Sequence, residues 1–272
     1  MTDLVANANI DPVEWNATEY HRLSNPHVDW GQRVLDRLPL RGDEIAVDAG
    51  CGSGRLTALL LERLPAGRVI AVDRSQQMLA EAEENLVPRF GGRVSFVHAN
   101  LLEFAPPEPV DAIFSTATFH WIRDHDRLFT HLFAALRPGG RLVAQCGGGP
   151  NLAGLMARVE SLAVAHPAFA PIAGWSGPWE FAGAATTAGR LERAGFADVA
   201  TSLEEAPTTF DDAATYREFL RTVVLRAHLE RLADDRARNE LLDALTEQAA
   251  ADPAPFHLDY WRLNLAGRRP GA

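Results

Sequence analysis

Residues 45 to 54 read Ile-Ala-Val-Asp-Ala-Gly-Cys-Gly-Ser-Gly, placing a carboxylate and a thiol inside a stretch of nearly bare backbone. Ile45, Ala46 and Val47 form an apolar run with no turn residue, the pattern of a strand buried on both faces. Gly50, Gly52 and Gly54 then alternate, and their missing side chains allow a sharp turn and the close approach of a ligand to the main chain. Arg55 to Glu62 reads as a helix whose first N–H groups point back at the loop. Strand, glycine loop and helix in this order make a nucleotide site, although a glycine loop in isolation is equally a plain turn.

Asp48 narrows the choice of ligand. A pyrophosphate brought to the loop would be repelled by a carboxylate at the end of the strand. A ligand carrying an ammonium and a sulfonium would be attracted, and S-adenosylmethionine is such a ligand. Val69 to Asp73 is a second apolar strand ending in a carboxylate, 19 residues after Gly54. That interval is close to the roughly 20 residues at which an acidic side chain meets the ribose hydroxyls. The alternative for a strand-end Asp is a helix cap, but the register with Asp48 and the glycines favours binding. Asp73 and its neighbour Arg74 therefore join Asp48, Gly50, Cys51, Gly52 and Gly54 as expected cofactor contacts.

The rest of the chain supplies elements to hold these groups. Ser75 to Leu86 reads as a helix capped by Ser75, Val94 to Ala99 as a strand, and Val110 to Ser115 as a fourth strand after the Pro106, Pro107 and Pro109 loop. Leu128 to Leu136 is a helix closed by Arg137-Pro138-Gly139-Gly140, and Arg141 to Gln145 a fifth strand. Residues 151 to 183 break the alternation with an apolar helix and a loop rich in proline and aromatic residues, Trp175, Trp179 and Phe181 among them. Thr187 to Ala194 returns as a helix, Phe196 to Leu203 as a strand, 211 to 250 as a long, mainly helical charged segment, and Asp259 to Ala266 as a last strand. Val13 to Leu38 reads as helical with a break near Asn25-Pro26, after a loosely attached start.

The segment Val47 to Gly54 resembles the first motif of the class I S-adenosylmethionine-dependent methyltransferases, and Leu136 to Leu142 resembles their motif before the fifth strand. Phe119-His120-Trp121-Ile122 carries a His-Trp pair similar to that of the trans-aconitate and juvenile hormone acid methyltransferase branch. The resemblance implies an α/β Rossmann-like, doubly wound sheet of seven mostly parallel strands with the last antiparallel. It implies one domain over 1–272, with its core at 31–147, 184–204 and 259–266 and a helical cap from 13–30, 148–183 and 205–258. It puts Asn100, where an acidic residue is usual, and Leu101 at the adenine, and Tyr20 and Trp30 near the cofactor.

Ligands of such sheets bind where the strand order reverses, so Ser115 to Trp121 should face the methyl group, Thr116 with the cofactor and His120 and Trp121 with the acceptor. His120 is the candidate catalytic group, able either to take a proton from a hydroxyl or to donate to a carboxylate; its alternative is a structural histidine. Trp175, Trp179 and Tyr216 are the further candidates for the acceptor pocket; the alternative is a loop anchored by buried tryptophans for the first two and a solvated helical face for Tyr216. Asp124, His125, Asp126 and His131 match no metal-ligand spacing, and no metal is expected.

Composition limits what the function can be. The chain has 272 residues and a formal charge of -10, which opposes a nucleic-acid partner. Its start lacks a basic signal-peptide head, no stretch is apolar enough to span a bilayer, and two cysteines make no disulfide framework. A cytoplasmic protein, monomer or homodimer, is expected. All 26 basic residues are arginine, which excludes a lysine Schiff base or general base. The expected activity is methylation of a small molecule, favouring O-methylation of a carboxylic acid, with a hydroxyl or carbon of a natural product as the alternative. A nicotinamide-dependent oxidoreductase and a non-catalytic cofactor-binding protein are the readings from other classes.

Overall fold

The short apolar runs pair into one seven-stranded sheet: β1 Ile45–Ala49, β2 Arg68–Asp73, β3 Val94–His98, β4 Val110–Thr116, β5 Leu136–Gly147, β6 Ala197–Glu205 and β7 Trp261–Arg268. The computed structural model describes residues 25 to 271. Strand order is β3-β2-β1-β4-β5-β7-β6. The first five strands pair in parallel, and β7 runs antiparallel between β5 and β6. The fold class expected from the resemblance is the one observed.

Because side chains alternate across a pleated strand, each inner strand feeds two cores. Ala46, Ala71 and Phe114 lie on one face against α1 (Asn25–Asp36), α2 (Arg55–Glu62) and α3 (Gln76–Phe90) through Leu35, Leu61 and Leu86. Val47, Val72 and Ile113 lie on the other against α4 (His125–Ala135) and α6 (Ala184–Ala194), through Phe129 and Leu191. A third core, built on α5 (Ala153–Ala165), α7 (Ala213–Phe219) and α8 (Asp235–Ala250), gathers Val159, Tyr216, Leu220 and Leu241 into a cap.

Local chemistry fixes several ends. The Ser75 hydroxyl accepts from Met78 N at 3.3 Å and starts α3, and Asp124 accepts from Arg127 N at 2.9 Å and starts α4. Such caps contribute about 1 kcal/mol each. β5 is longer than its expected span. Leu136 already pairs with Val110, the turn residues bulge out with Gly139 at φ +82°, and pairing resumes at Arg141 opposite Ala112. β7 starts two residues later than Asp259, whose carboxylate instead accepts from Gly154 N at 2.8 Å and ties α5 to the sheet.

The 211–250 segment is not one helical run. After α7 a π-helical turn spans Leu220–Val224, with Leu225 N donating to Leu220 O at 2.7 Å, and a single helical turn follows at Arg226–Leu229 before α8. Among the described residues no helix is long and apolar enough to cross a membrane.

Candidate active site

The glycine loop leaves β1 at its carboxyl end and is stitched to β2. Gly50 N and Cys51 N both donate to Val72 O, at 2.8 and 3.0 Å, and Gly52 N donates to Asp73 Oδ2 at 2.9 Å. The other Asp73 oxygen accepts from Ser75 N at 2.9 Å. Each carboxylate oxygen has a further lone pair, so Asp73 is fixed in orientation and can still accept from a diol. Burial pushes its pKa above the usual carboxylate value, against the pull of the Ser75 and Gly52 N–H groups.

The three glycines serve different purposes. Gly52, at φ +53°, has no atom within 4 Å of the place where a Cβ would stand and opens to the cleft. At Gly50 a Cβ would lie 2.1 Å from the Thr118 hydroxyl, so bare backbone is needed to seat the loop beside the end of β4. Gly54 starts α2 and would meet Leu86 of α3 at 2.7 Å; it and buried Cys51 belong to the packing behind the loop.

Asp48 does not reach the cleft surface as expected. It is 2 % exposed and accepts from the Thr57 hydroxyl at 2.7 Å beneath the loop. Burial raises its pKa to about 7, opposed by the Thr57 hydrogen bond and assisted by the nearby Asp73 charge. The carboxylate facing the cleft is therefore Asp73, with Asp48 one layer below.

A cleft open to solvent lies across the carboxyl ends of β1 to β5, at the reversal between β1 and β4. Gly50, Gly52, Asp73, Arg74, Asn100, Leu101, Thr116, His120, Trp121 and Trp179 all line it. Asn100 Oδ1 already accepts from Leu102 N at 3.0 Å, so part of its acceptor capacity is used by its own turn. Trp30, Trp175 and Tyr216 lie elsewhere. Trp30 covers Arg262 and an adjoining cavity. Trp175 packs on His228 at 4.6 Å with Arg231 over its face, and Tyr216 is in the cap core between Phe210 and Phe256. The aromatic types of Trp175 and Tyr216 answer to cap packing. Tyr20 lies outside the described residues.

His120 sits in the short 3-10 turn Phe119–Trp121 after β4. It is 9 % exposed, and its Nδ1 accepts from Gly147 N at 3.2 Å, the last residue of β5. Trp121, Trp179 and Phe181 extend the wall, with Trp179 and Phe181 stacked at 5.4 Å and His120 and Phe181 at 5.9 Å. The loop bearing these rings is tied to the turn. Glu180 N donates to His120 O at 2.9 Å, and Arg190 bonds Glu180 at 2.9 Å and His125 Nδ1 at 3.2 Å. His125 and Asp124 thus serve the turn and the helix start.

Several lining residues carry no local motif: Met78, Asn151, Val223, Val224, Tyr260 and Arg262. Arg262 could have been found, because a charge inside the apolar alternation of β7 demands a buried partner or ligand. Ala117 holds φ +53° at the end of β4, a conformation unusual for a residue with a side chain and concentrated at working sites.

S-adenosylmethionine fits this chemistry: an uncluttered glycine at the loop and a fixed acceptor carboxylate at the end of β2. Comparisons agree. A family model described as "Methyltransferase domain" matches residues 46–140. The chain is 35% identical to trans-aconitate 2-methyltransferase of Azoarcus sp. (strain BH72) over 231 residues, 81% of this chain and 84% of that one. It is 32% identical to the protein of the same name from Methylobacterium radiotolerans over 247 residues, 86% and 88% of the two chains. Among solved structures, Haemonchus contortus phosphoethanolamine N-methyltransferase 2 in complex with S-adenosyl-L-methionine shares the fold with a TM-score of 0.60 at 19% identity, over 93% of this chain and 56% of that one. The chain belongs to the class I S-adenosylmethionine-dependent methyltransferases, in the family of the trans-aconitate 2-methyltransferases, and is an enzyme of methyl transfer.

Proposed function

We propose that the acceptor is a small carboxylic acid and that the product is its methyl ester. S-adenosylmethionine supplies an already activated methyl group, so the chain's own task is to align the acceptor and exclude water. Asp73 and the Gly50–Gly52 loop would hold the ribose and methionine portions, and Asn100 and Leu101 the adenine. The aromatic wall of Trp121, Trp179 and Phe181 would shield the reacting atoms.

The observation that carries the carboxylate is the hydrogen bond from Gly147 N to His120 Nδ1, 3.2 Å. A ring nitrogen that accepts bears no proton, so the proton of the neutral imidazole sits on Nε2. His120 is then a donor. It steadies an anionic oxygen but cannot take a proton without turning an N–H of Nδ1 against that of Gly147. A carboxylate, ionised at neutral pH, needs no base; a hydroxyl does. The relatives' names agree, since trans-aconitate is an organic acid.

The reading extends to a single methyltransferase unit acting in the cytoplasm on a diffusible acid, as monomer or homodimer and without nucleic acid. Both cysteines, Cys51 and Cys146, are free and buried, which suits a reducing compartment.

The test is the pH profile at saturating cofactor together with His120 variants. With a carboxylate acceptor, kcat/KM should stay flat between about pH 7 and 9. His120→Phe should lower it about 100-fold and His120→Gln, which keeps a donor, about 10-fold, each with unchanged S-adenosylhomocysteine affinity. Methylation of a hydroxyl, with a rising limb near the imidazole pKa that His120→Gln removes, would overturn it.

A further inference from the structure

Two of the rings that wall the cleft sit on a segment with no regular structure. Residues 173 to 183 contain no helix or strand, so the ladder bonds that fix a backbone elsewhere do not place Trp179 and Phe181. Polar links to neighbouring parts do so. Arg123 donates to Gly177 O, Glu180 N donates to His120 O at 2.9 Å, and Gly149 N donates to Ala182 O at 3.0 Å. A further link runs through side chains. Arg190 of α6, largely buried, bonds the Glu180 carboxylate at 2.9 Å.

The same guanidinium nitrogen, Arg190 Nη1, also donates to His125 Nδ1 at 3.2 Å. The other ring nitrogen, His125 Nε2, lies 3.0 Å from Phe119 O. A carbonyl oxygen only accepts and a guanidinium only donates, so these two partners require the neutral ring with its proton on Nε2. Burial lowers the His125 pKa and favours that form, against the pull of the Phe119 carbonyl. Phe119 and His120 belong to one 3-10 turn, so Arg190 reaches it by two routes. One passes through His125 to Phe119 O; the other passes through Glu180, whose backbone N–H meets His120 O. The nitrogen Nη1 carries two N–H groups, one for each route. Exposed Asp126, 3.6 Å from Arg190 Nε and 2.6 Å from Arg193, adds only a weak ion pair.

We propose that Arg190 is a positioning residue for methyl transfer: by bonding Glu180 and His125 from one nitrogen, it sets the separation between the His120 turn and the wall of Trp179 and Phe181. That separation is the width of the acceptor pocket. Arg190 itself does not line the cleft, so it acts through the two groups it joins. The role concerns the shape of the pocket and is the same for a carboxylate, hydroxyl or amine acceptor. It calls for an arginine, because the planar fork holds its donors in fixed directions and serves two acceptors on different elements at once. A displacement of about 1 Å at the reacting atoms can cost about 100-fold in rate, so a pin remote from the chemistry matters to turnover.

The test compares wild type with Arg190→Met, Arg190→Lys and Glu180→Ala. Amide hydrogen exchange is read with S-adenosylhomocysteine bound, and turnover with labelled S-adenosylmethionine and the best acceptor from a panel of carboxylic acids, phenols and amines. In Arg190→Met the amides of residues 119 to 122 and 177 to 183 should exchange about 10-fold faster, while those of 45 to 54 keep their rate. Acceptor KM should rise about 10-fold and kcat fall, with S-adenosylmethionine KM unchanged. Loss of folded enzyme, the result of a purely structural role, lowers kcat alone. Arg190→Lys should recover part of the acceptor KM. Glu180→Ala, which cuts one route, should raise it less, and the double variant should be no worse than Arg190→Met. If Arg190→Met does not fold, Arg190→Lys carries the comparison. Wild-type exchange in both segments, or an unchanged acceptor KM, in the folded variants would overturn the inference, and exchange decides it whatever the acceptor. An acceptor other than a carboxylic acid would overturn the preceding reading alone.

Discussion

Asp73 concentrates the demands on the cofactor site in one side chain. It organises the loop through Gly52 N, starts the next helix through Ser75 N, and keeps acceptor capacity toward the cleft. Asp73→Asn leaves one acceptor oxygen and no charge, so one of the two backbone bonds is lost together with the proposed ribose contact. Charge-assisted bonds of this kind contribute about 1.5–3 kcal/mol each. The variant should bind S-adenosylhomocysteine about 10- to 100-fold more weakly by calorimetry, and unchanged affinity would remove its ribose role. Asp48 shows where residue-level reading stops. Its type and position were legible, but its depth was not, because burial under the loop depends on Thr57 and the packing of α2 around it.

At the scale of elements, the cap contains a group that ties stability to pH. His228 is fully buried in the short turn before α8, against Trp175 and Trp179, and neither ring nitrogen has a hydrogen-bond partner among the described residues. Burial, with the Arg231 charge in second place, lowers its pKa to about 4. The unfolded chain therefore binds the proton first. The stability this ring contributes is complete above its ordinary pKa of about 6.5 and falls as pH drops toward its folded value. Between pH 7.5 and 5 wild type should lose about 2 kcal/mol more in urea unfolding than His228→Leu; parallel losses would refute the buried neutral ring. Which elements form was largely legible. Runs such as Val69 to Val72 and the helix start at Ser75 declare themselves within a few residues. The π-helical turn at Leu220–Val224, which presents Val223 and Val224 to the cleft, did not, because tertiary packing and not a local signal creates it.

For the whole molecule, the same split holds. The glycine loop, Asp73 and His120 could be placed at the cleft from sequence because each comes shortly after a strand and so lies at the carboxyl edge of the sheet. Arg262 and Asn151, joined through β7, come from the far end of the chain or from an insertion, and only the antiparallel pairing of β7 with β5 unites them with His120. The absence of lysine sharpens the chemistry, since every cationic side chain but histidine is an arginine that keeps its proton. No arginine at the cleft can serve as a base, and under the proposed reading His120 is a donor. The most direct test is to incubate wild type with S-adenosylmethionine labelled in the methyl group and a panel of di- and tricarboxylic acids, phenols and amines, then treat the methylated product with alkali. A methyl ester should form from an acid, and alkali should release the label as methanol. Label that survives alkali in an ether, amine or carbon-bound methyl group, with no ester formed, would contradict the account.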